Sequence, residues 1–214
     1  MTITSGPGVH DPLADPPAAV SAYNVANGLT VLRLLLVPVF STLLLAGDGD
    51  DEVLRYSACA VFLLASWTDR IDGQIARARG LVTEFGKLAD PIADKALMGA
   101  ALIGLSALDE LPWLVTVVVL VREVGVTVLR FVVIRHGVMP ASRGGKLKTL
   151  LQGVAIGLFV LPLVGPAASL RAVVMALAVA VTLVTGLDYV ARALRLRRTS
   201  PRAAMKRARR AARP

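Results

Sequence analysis

Residues 53–108 read VLRYSACAVFLLASWTDRIDGQIARARGLVTEFGKLADPIADKALMGAALIGLSAL. Two apolar runs, 53–72 and 85–108, are separated by a short polar segment. Each run is close to the ~20 residues that a helix needs to cross a hydrocarbon core of ~30 Å. Because backbone amides in lipid must bond within their own segment, the two runs predict a pair of transmembrane helices with a polar connection.

The same pattern repeats along the rest of the chain. The 214 residues are 55% hydrophobic and 18% charged, whereas about 25% of the residues in soluble domains are charged. Six apolar stretches are long enough to cross a membrane, and they cover residues 27–46, 53–72, 85–108, 112–134, 147–166 and 170–191. The sequence therefore predicts an all-α, polytopic membrane protein with six transmembrane helices.

The charges of the connections predict the orientation of these helices. The first and third connections are acidic and carry Asp48, Asp50, Asp51, Glu52, Asp109 and Glu110. The second and fourth are basic and carry Arg70, Arg77, Arg79, Lys87, Arg135, Arg143, Lys146 and Lys148. Basic loops face the cytoplasm, so we expect both termini inside a bacterial cell, with the chain embedded in its inner (plasma) membrane.

The net charge of +9 comes from the end of the chain, where ten of the 24 basic residues lie in 192–213 and no acid follows Asp188. A basic tail after an apolar helix is typical of anchoring to anionic lipid head groups, and we expect no nucleic-acid partner. The chain thus divides into a disordered lead-in (1–22), a membrane domain (23–193) and a basic cytoplasmic tail (194–214).

Four aspartates lie around the predicted cytoplasmic ends of the second and third helices. Asp69 and Asp72 are three residues apart and Asp90 and Asp94 four apart, so each pair shares a helix face. A tight turn would bring the pairs face to face, and such carboxylates stay ionised only if cations balance them. Oxygen ligands without nearby His or Cys predict Mg²⁺, with Mn²⁺ as the alternative, and two ions at the site.

Small and cationic residues accompany the aspartates. Gly73, Ala76 and Gly86 let a bulky ligand approach the backbone closely. Arg77 supplies a guanidinium that can bind phosphate through two parallel hydrogen bonds. Together with the carboxylates, these residues predict a site for a phosphorylated ligand at the membrane surface.

In full, the pattern is Asp69-x-x-Asp72-Gly73-x-x-Ala76-Arg77, eight residues, then Gly86-x-x-x-Asp90-x-x-x-Asp94. At every fixed position it resembles the signature of the CDP-alcohol phosphatidyltransferases. The opening of the first apolar stretch, Asn27-Gly-Leu-Thr30-x-x-Arg33, is also similar to this family. The segments 90–95, 122–130 and 145–149 resemble the bacterial branch whose acceptor alcohol is glycerol 3-phosphate.

The resemblance implies transfer of a phosphatidyl group from CDP-diacylglycerol to glycerol 3-phosphate, with release of CMP, by a homodimer. It implies that Asp69, Asp72, Asp90 and Asp94 bind the metal ions and that Asp94 is also the general base. The residues expected to bind CDP-diacylglycerol are Asn27, Thr30, Gly73, Ala76, Arg77, Thr83 and Gly86.

A dianionic acceptor needs fixed cations, and four basic residues near the fourth connection are candidates for binding its phosphate: Arg122, Arg130, Lys146 and Lys148. Three of them have a simpler interpretation. Arg122 beside Glu123 could join helices, and Lys146 and Lys148 could be ordinary cytoplasmic loop charges. A further basic residue, Arg33 in the first apolar stretch, could bind substrate or extend to the membrane interface.

The sequence also permits other functions. Within the family, inositol 1-phosphate, phosphatidylglycerol or serine could be the acceptor. A divalent-metal transporter would also carry intramembrane carboxylates, although its site would lie near the midplane of the membrane. A lipid-binding protein with a basic tail would not require the two spaced aspartate pairs.

Overall fold

The computed structural model describes the backbone of residues 25–79, 84–133 and 143–199, and the side chains of 27–68, 89, 92–129, 131 and 144–196. Within these ranges the regular secondary structure is entirely helical, with no strand. Its helices are α1 (Val25–Leu45), α2 (Glu52–Arg79), α3 (Glu84–Ala107), α4 (Trp113–Val133), α5 (Arg143–Val160) and α6 (Pro166–Thr199). The predicted all-α class is confirmed, and the predicted lead-in lies outside the described residues.

Helices α5 and α6 have different boundaries from the predicted stretches. Helix α5 ends at Val160, so the expected continuation to residue 166 is wrong. Pro162 has no N–H to donate and disfavours helical geometry in the residue before it. Helix α6 begins at Pro166, where the missing N–H costs nothing, and runs to Thr199. The first residues of the predicted basic tail are therefore helical.

The core lies between the helices, and all six contribute apolar side chains to it. The rings of Phe40 in α1 and Phe62 in α2 lie 5.8 Å apart, centroid to centroid. Helices α1 and α3 approach closely at Gly104, where a Cβ atom would lie 2.7 Å from a methyl carbon of Leu44. A larger residue at position 104 would therefore require the Leu44 side chain to move.

The outer surface of the bundle is strongly apolar. Several large aliphatic side chains of α1, α2, α4 and α6 are at least 62% exposed, namely Leu35, Val53, Leu114, Val121, Val173, Val184 and Leu187. Two helical segments, Asn27–Gly49 and Pro166–Leu196, are long and apolar enough to cross a membrane, each with a mean hydropathy of 2.2. An apolar surface of this extent is typical of a protein that contacts lipid.

Arg55 closes one end of the bundle. This α2 side chain is 2% exposed, and it donates to the carbonyls of Val160 (Nε, 2.8 Å) and Phe159 (Nη2, 2.7 Å) at the end of α5. Its Nη1 pairs with Glu110, whose other carboxylate oxygen binds Arg171 of α6 at 2.9 Å. The starts of α2 and α6 therefore meet the ends of α3 and α5, as expected for helices that alternate in direction.

Candidate active site

The two predicted aspartate pairs lie on neighbouring helices. Asp69 and Asp72 fall within α2, and Asp90 and Asp94 within α3. Of these four side chains, only that of Asp94 is among those described. No group of three or more His, Cys, Asp or Glu residues that could hold a metal occurs among the described side chains. The four-aspartate metal site remains a prediction.

Asp94 is half-buried and lies between two hollows of different character. One is a polar cavity of about 120 Å³ between α3, α4 and α5. The other is an apolar groove of about 390 Å³ between α2, α3 and α5. Met98 and Thr149 also line both spaces. A water-soluble reactant and a lipid could therefore reach the same carboxylate from two sides.

The polar cavity contains charges of both signs. Lys148, which is 5% exposed, pairs with Glu123 Oε1 and interacts electrostatically with Asp94. Lys95 binds the hydroxyl of Thr127 and lies 3.5 Å from the Glu123 carbonyl oxygen. Such groups are costly to bury unless paired, and these contacts account for the burial of both lysines.

Arg122 joins α4 to α6. Its Nε donates to the Thr182 carbonyl at 3.3 Å and its Nη2 to the Thr185 hydroxyl at 3.0 Å. Its Nη1 binds Glu123 Oε1 at 2.9 Å, so Arg122 and Lys148 share one carboxylate oxygen. These contacts agree with the simpler interpretation that Arg122 joins helices, and nothing in them tests its predicted contact with an acceptor phosphate.

The remaining residues that were predicted to bind substrate lie on α1, on α5 or where no side chain is described. Asn27 and Thr30 are both buried, one turn apart on α1, and Arg33 on the following turn is 1% exposed. Lys146 is exposed in the first turn of α5. Thr83 lies outside the described residues. Several other predicted residues belong to helices but their side chains are not described, namely Gly73, Ala76, Arg77, Gly86 and Arg130.

The apolar groove was not predicted. It extends from Asp94 and Thr149 along α2 and α5 to Leu161, close to the opposite end of α5. Gly153 and Gly157, four residues apart on α5, line it, and their missing side chains leave the hollow open. The four-residue spacing of the two glycines is the sign of this groove in the sequence, but it does not show which helix lies opposite the glycines.

Three residues of the polar cavity were also missed as site residues: Lys95, Glu123 and Gln152. Glu123 and Gln152 are polar groups inside apolar stretches, which is the usual sign of a functional position in a membrane helix. Only the packing of α3, α4 and α5 shows that the three belong to the same site.

Comparison with known proteins defines the class to which this fold and site belong. Residues 23–184 match the family model for CDP-alcohol phosphatidyltransferase. The chain therefore belongs to the CDP-alcohol phosphatidyltransferase family and is an enzyme of phospholipid biosynthesis. Enzymes of this family use divalent metal ions, in agreement with the carboxylates of α2 and α3.

Two individual relatives are similar to this chain over about two thirds or more of its length. A probable phosphatidylglycerophosphate synthase of Mycobacterium tuberculosis is 61% identical over 172 residues, which cover 80% of this chain and 82% of the relative. A CDP-diacylglycerol–glycerol-3-phosphate 3-phosphatidyltransferase of Bacillus subtilis is 39% identical, covering 65% and 77% of the two chains.

A solved structure shares the fold. The crystal structure of Mycobacterium tuberculosis phosphatidylinositol phosphate synthase with CDP-diacylglycerol bound has a TM-score of 0.59 and 20% identity. The match covers 85% of this chain and 90% of that one. At this identity the likeness supports the helical architecture alone.

Proposed function

We propose that this enzyme transfers the phosphatidyl group of CDP-diacylglycerol to glycerol 3-phosphate, giving phosphatidylglycerophosphate and CMP. The observation that carries the proposal is the position of Asp94, between a polar cavity containing the buried Lys148 and an apolar groove. A small anionic acceptor suits the cavity, and the acyl chains of the donor suit the groove. The 61% identity with the mycobacterial relative favours glycerol 3-phosphate as acceptor.

In this mechanism Asp94 accepts the proton of the attacking hydroxyl as general base. The freed oxygen attacks the phosphorus that bears the diacylglycerol, and the bond from that phosphorus to the CMP oxygen breaks. Asp69, Asp72, Asp90 and Asp94 would hold Mg²⁺, since carboxylate oxygens suit hard divalent cations. When bound, the ions would offset the negative charge of the diphosphate and of the departing CMP.

The donor occupies the side of Asp94 formed by α1, α2 and α3. The resemblance to the family supports a cytidine diphosphate site made by Asn27, Thr30, Gly73, Ala76, Arg77, Thr83 and Gly86. The burial of Asn27 and Thr30 on one face of α1 is in keeping with this role. The groove from Asp94 toward Leu161 would then take up acyl chains.

The acceptor phosphate binds beside Lys148, with Arg130 and Lys146 as further candidates. Replacing Lys148 by methionine should raise the KM for glycerol 3-phosphate by roughly 10- to 100-fold, because hydrogen bonds to charged groups contribute about 1.5–3 kcal/mol. The KM for CDP-diacylglycerol should change little. Steady-state kinetics of CMP release with each substrate varied in turn provides the measurement.

Two comparison variants sharpen this test. Arg192→Met removes a positive charge from an exposed position on α6 and should leave both KM values as they are. Lys146→Met removes an exposed charge two residues from Lys148 and should have a smaller effect than Lys148→Met. A folded Lys148→Met protein with an unchanged KM for glycerol 3-phosphate would contradict the assignment.

We further propose that all six helices cross the bacterial inner membrane, with both termini and the active site on the cytoplasmic side. The distribution of loop charges supports this orientation. Acidic residues cluster at the end of the bundle closed by Arg55, and Lys146 and Lys148 lie toward the other end. The resemblance to the family supports a homodimer, which native mass spectrometry of detergent-extracted protein would test.

The decisive experiment measures CMP release from CDP-diacylglycerol by purified protein with Mg²⁺, offering glycerol 3-phosphate or inositol 1-phosphate. We expect release that depends on glycerol 3-phosphate and stops when a chelator removes the metal. Readdition of Mg²⁺ or Mn²⁺ after chelation would show which ion restores the rate.

Other outcomes identify the alternatives. Release with inositol 1-phosphate alone would keep the family chemistry and replace the acceptor. No release with any acceptor would favour a metal transporter or a non-catalytic lipid-binding protein.

A further inference from the structure

Gln152 in α5 is a buried amide whose carbonyl oxygen lacks a partner in the part of the chain that the structure describes. The residue is 3% exposed and lines the polar cavity together with Asp94 and Lys148. Its Oε1 has no hydrogen-bond partner among the described residues. Leaving a buried acceptor unsatisfied costs about 1–3 kcal/mol, and buried polar groups are nearly always paired. A ligand group that fills the cavity is therefore expected to complete this hydrogen bond.

The chemistry of the amide oxygen restricts that ligand group. A carbonyl oxygen only accepts hydrogen bonds, so the ionised phosphate of an acceptor cannot satisfy it, whereas a hydroxyl can. If the acceptor is glycerol 3-phosphate, as proposed above, it carries two hydroxyls. One of them attacks beside Asp94, which leaves the hydroxyl on C2 as the donor for Gln152.

The spacing along α5 agrees with this assignment. Gln152 follows Lys148 by four residues, so the two side chains lie one above the other on the same helix face, ~6 Å apart along the axis. Asp94 faces the same cavity from α3. The cavity thus presents a cation, a hydrogen-bond acceptor and a base, matching the phosphate, C2 hydroxyl and C1 hydroxyl of a three-carbon acceptor.

We propose that Gln152 is a specificity-determining residue that accepts a hydrogen bond from the C2 hydroxyl of the acceptor alcohol. This inference rests on the proposed function. It means that the enzyme selects acceptors with a hydroxyl next to the reacting carbon, because an acceptor without one leaves the buried carbonyl unpaired. Sites that bind a substrate hydroxyl discriminate strongly against analogues that lack it.

The test compares glycerol 3-phosphate with 3-hydroxypropyl phosphate, the analogue without the C2 hydroxyl, by kcat/KM for CMP release. Wild-type protein should prefer glycerol 3-phosphate by at least about tenfold. Gln152→Met, which keeps the size of the side chain but removes the amide, should lose most of this preference. Gln152→Glu keeps an acceptor oxygen at the same place and should retain the preference, even if its added charge slows both reactions.

Thr182→Val is the matched control, because the buried Thr182 hydroxyl also lacks a partner among the described residues but lies on α6, away from the lining of the cavity. It should keep the wild-type preference. Equal kcat/KM values for the two acceptors in wild-type protein would overturn the inference without any variant. So would a folded Gln152→Met protein with the wild-type preference. Wild-type protein that releases no CMP with glycerol 3-phosphate would overturn the proposed function together with the inference.

Discussion

CMP release is expected to fall by at least about a thousandfold when Asp94 is replaced by asparagine. General bases contribute roughly 10²–10⁴-fold to rate, and asparagine has nearly the same shape as aspartate but cannot accept the proton. The substitution also removes one of the predicted metal-binding carboxylates. The measurement is the initial rate of CMP release at saturating CDP-diacylglycerol and glycerol 3-phosphate.

The same substitution at Asp188 is the control. Asp188 is an exposed α6 carboxylate paired with Arg192 at 2.9 Å, so Asp188→Asn should retain wild-type activity. Asp94→Asn should also keep a wild-type elution volume in detergent and a similar Tm, since Asp94 is only half-buried. A folded Asp94→Asn protein whose rate stays within tenfold of wild type would refute the role of Asp94 as general base.

Replacing Arg55 by methionine should lower the Tm by roughly 10 °C, because removing one partner from a buried charge pair costs about 3–5 kcal/mol. The change leaves the carbonyls of Phe159 and Val160 without their donor and leaves Glu110 with Arg171 alone. Thermal unfolding of the detergent-solubilised protein, followed by circular dichroism, is the measurement.

Two further variants define this effect. Arg55→Lys should give an intermediate Tm, because it keeps the charge but replaces the planar fork of donors by a single ammonium group. Arg192→Met removes an exposed ion pair and should shift the Tm by little, as surface pairs contribute about 0–1 kcal/mol. An unchanged Tm for Arg55→Met would show that this network does not stabilise the bundle.

The order and approximate extent of the helices could be predicted because hydropathy depends only on local sequence. The errors occur where polar residues continue a helix or where a proline interrupts an apolar run. Helix α2 continues to Arg79, seven residues beyond the apolar stretch, and α5 begins at Arg143. A hydropathy pattern detects the apolar part of a helix, not the hydrogen bonds that continue it into polar sequence.

The candidate site could be predicted only in part, for a similar reason. The spacing of the aspartates is local, so the sequence alone indicates Asp94. The polar cavity depends on side chains that meet from distant parts of the chain, such as Lys148 and Glu123, 25 residues apart. Arg55 and Val160 are 105 residues apart, and no pattern in one sequence specifies that contact.

The carboxylate that Arg122 and Lys148 share has a consequence for how this protein can diverge. Glu123 joins helices α4, α5 and α6 through two cations at a single oxygen atom. Loss of Glu123 would leave two neighbouring cations without their shared carboxylate, whereas loss of either cation leaves the carboxylate paired with the other one. The substitutions that the protein tolerates at one of these three positions therefore depend on which residues occupy the other two.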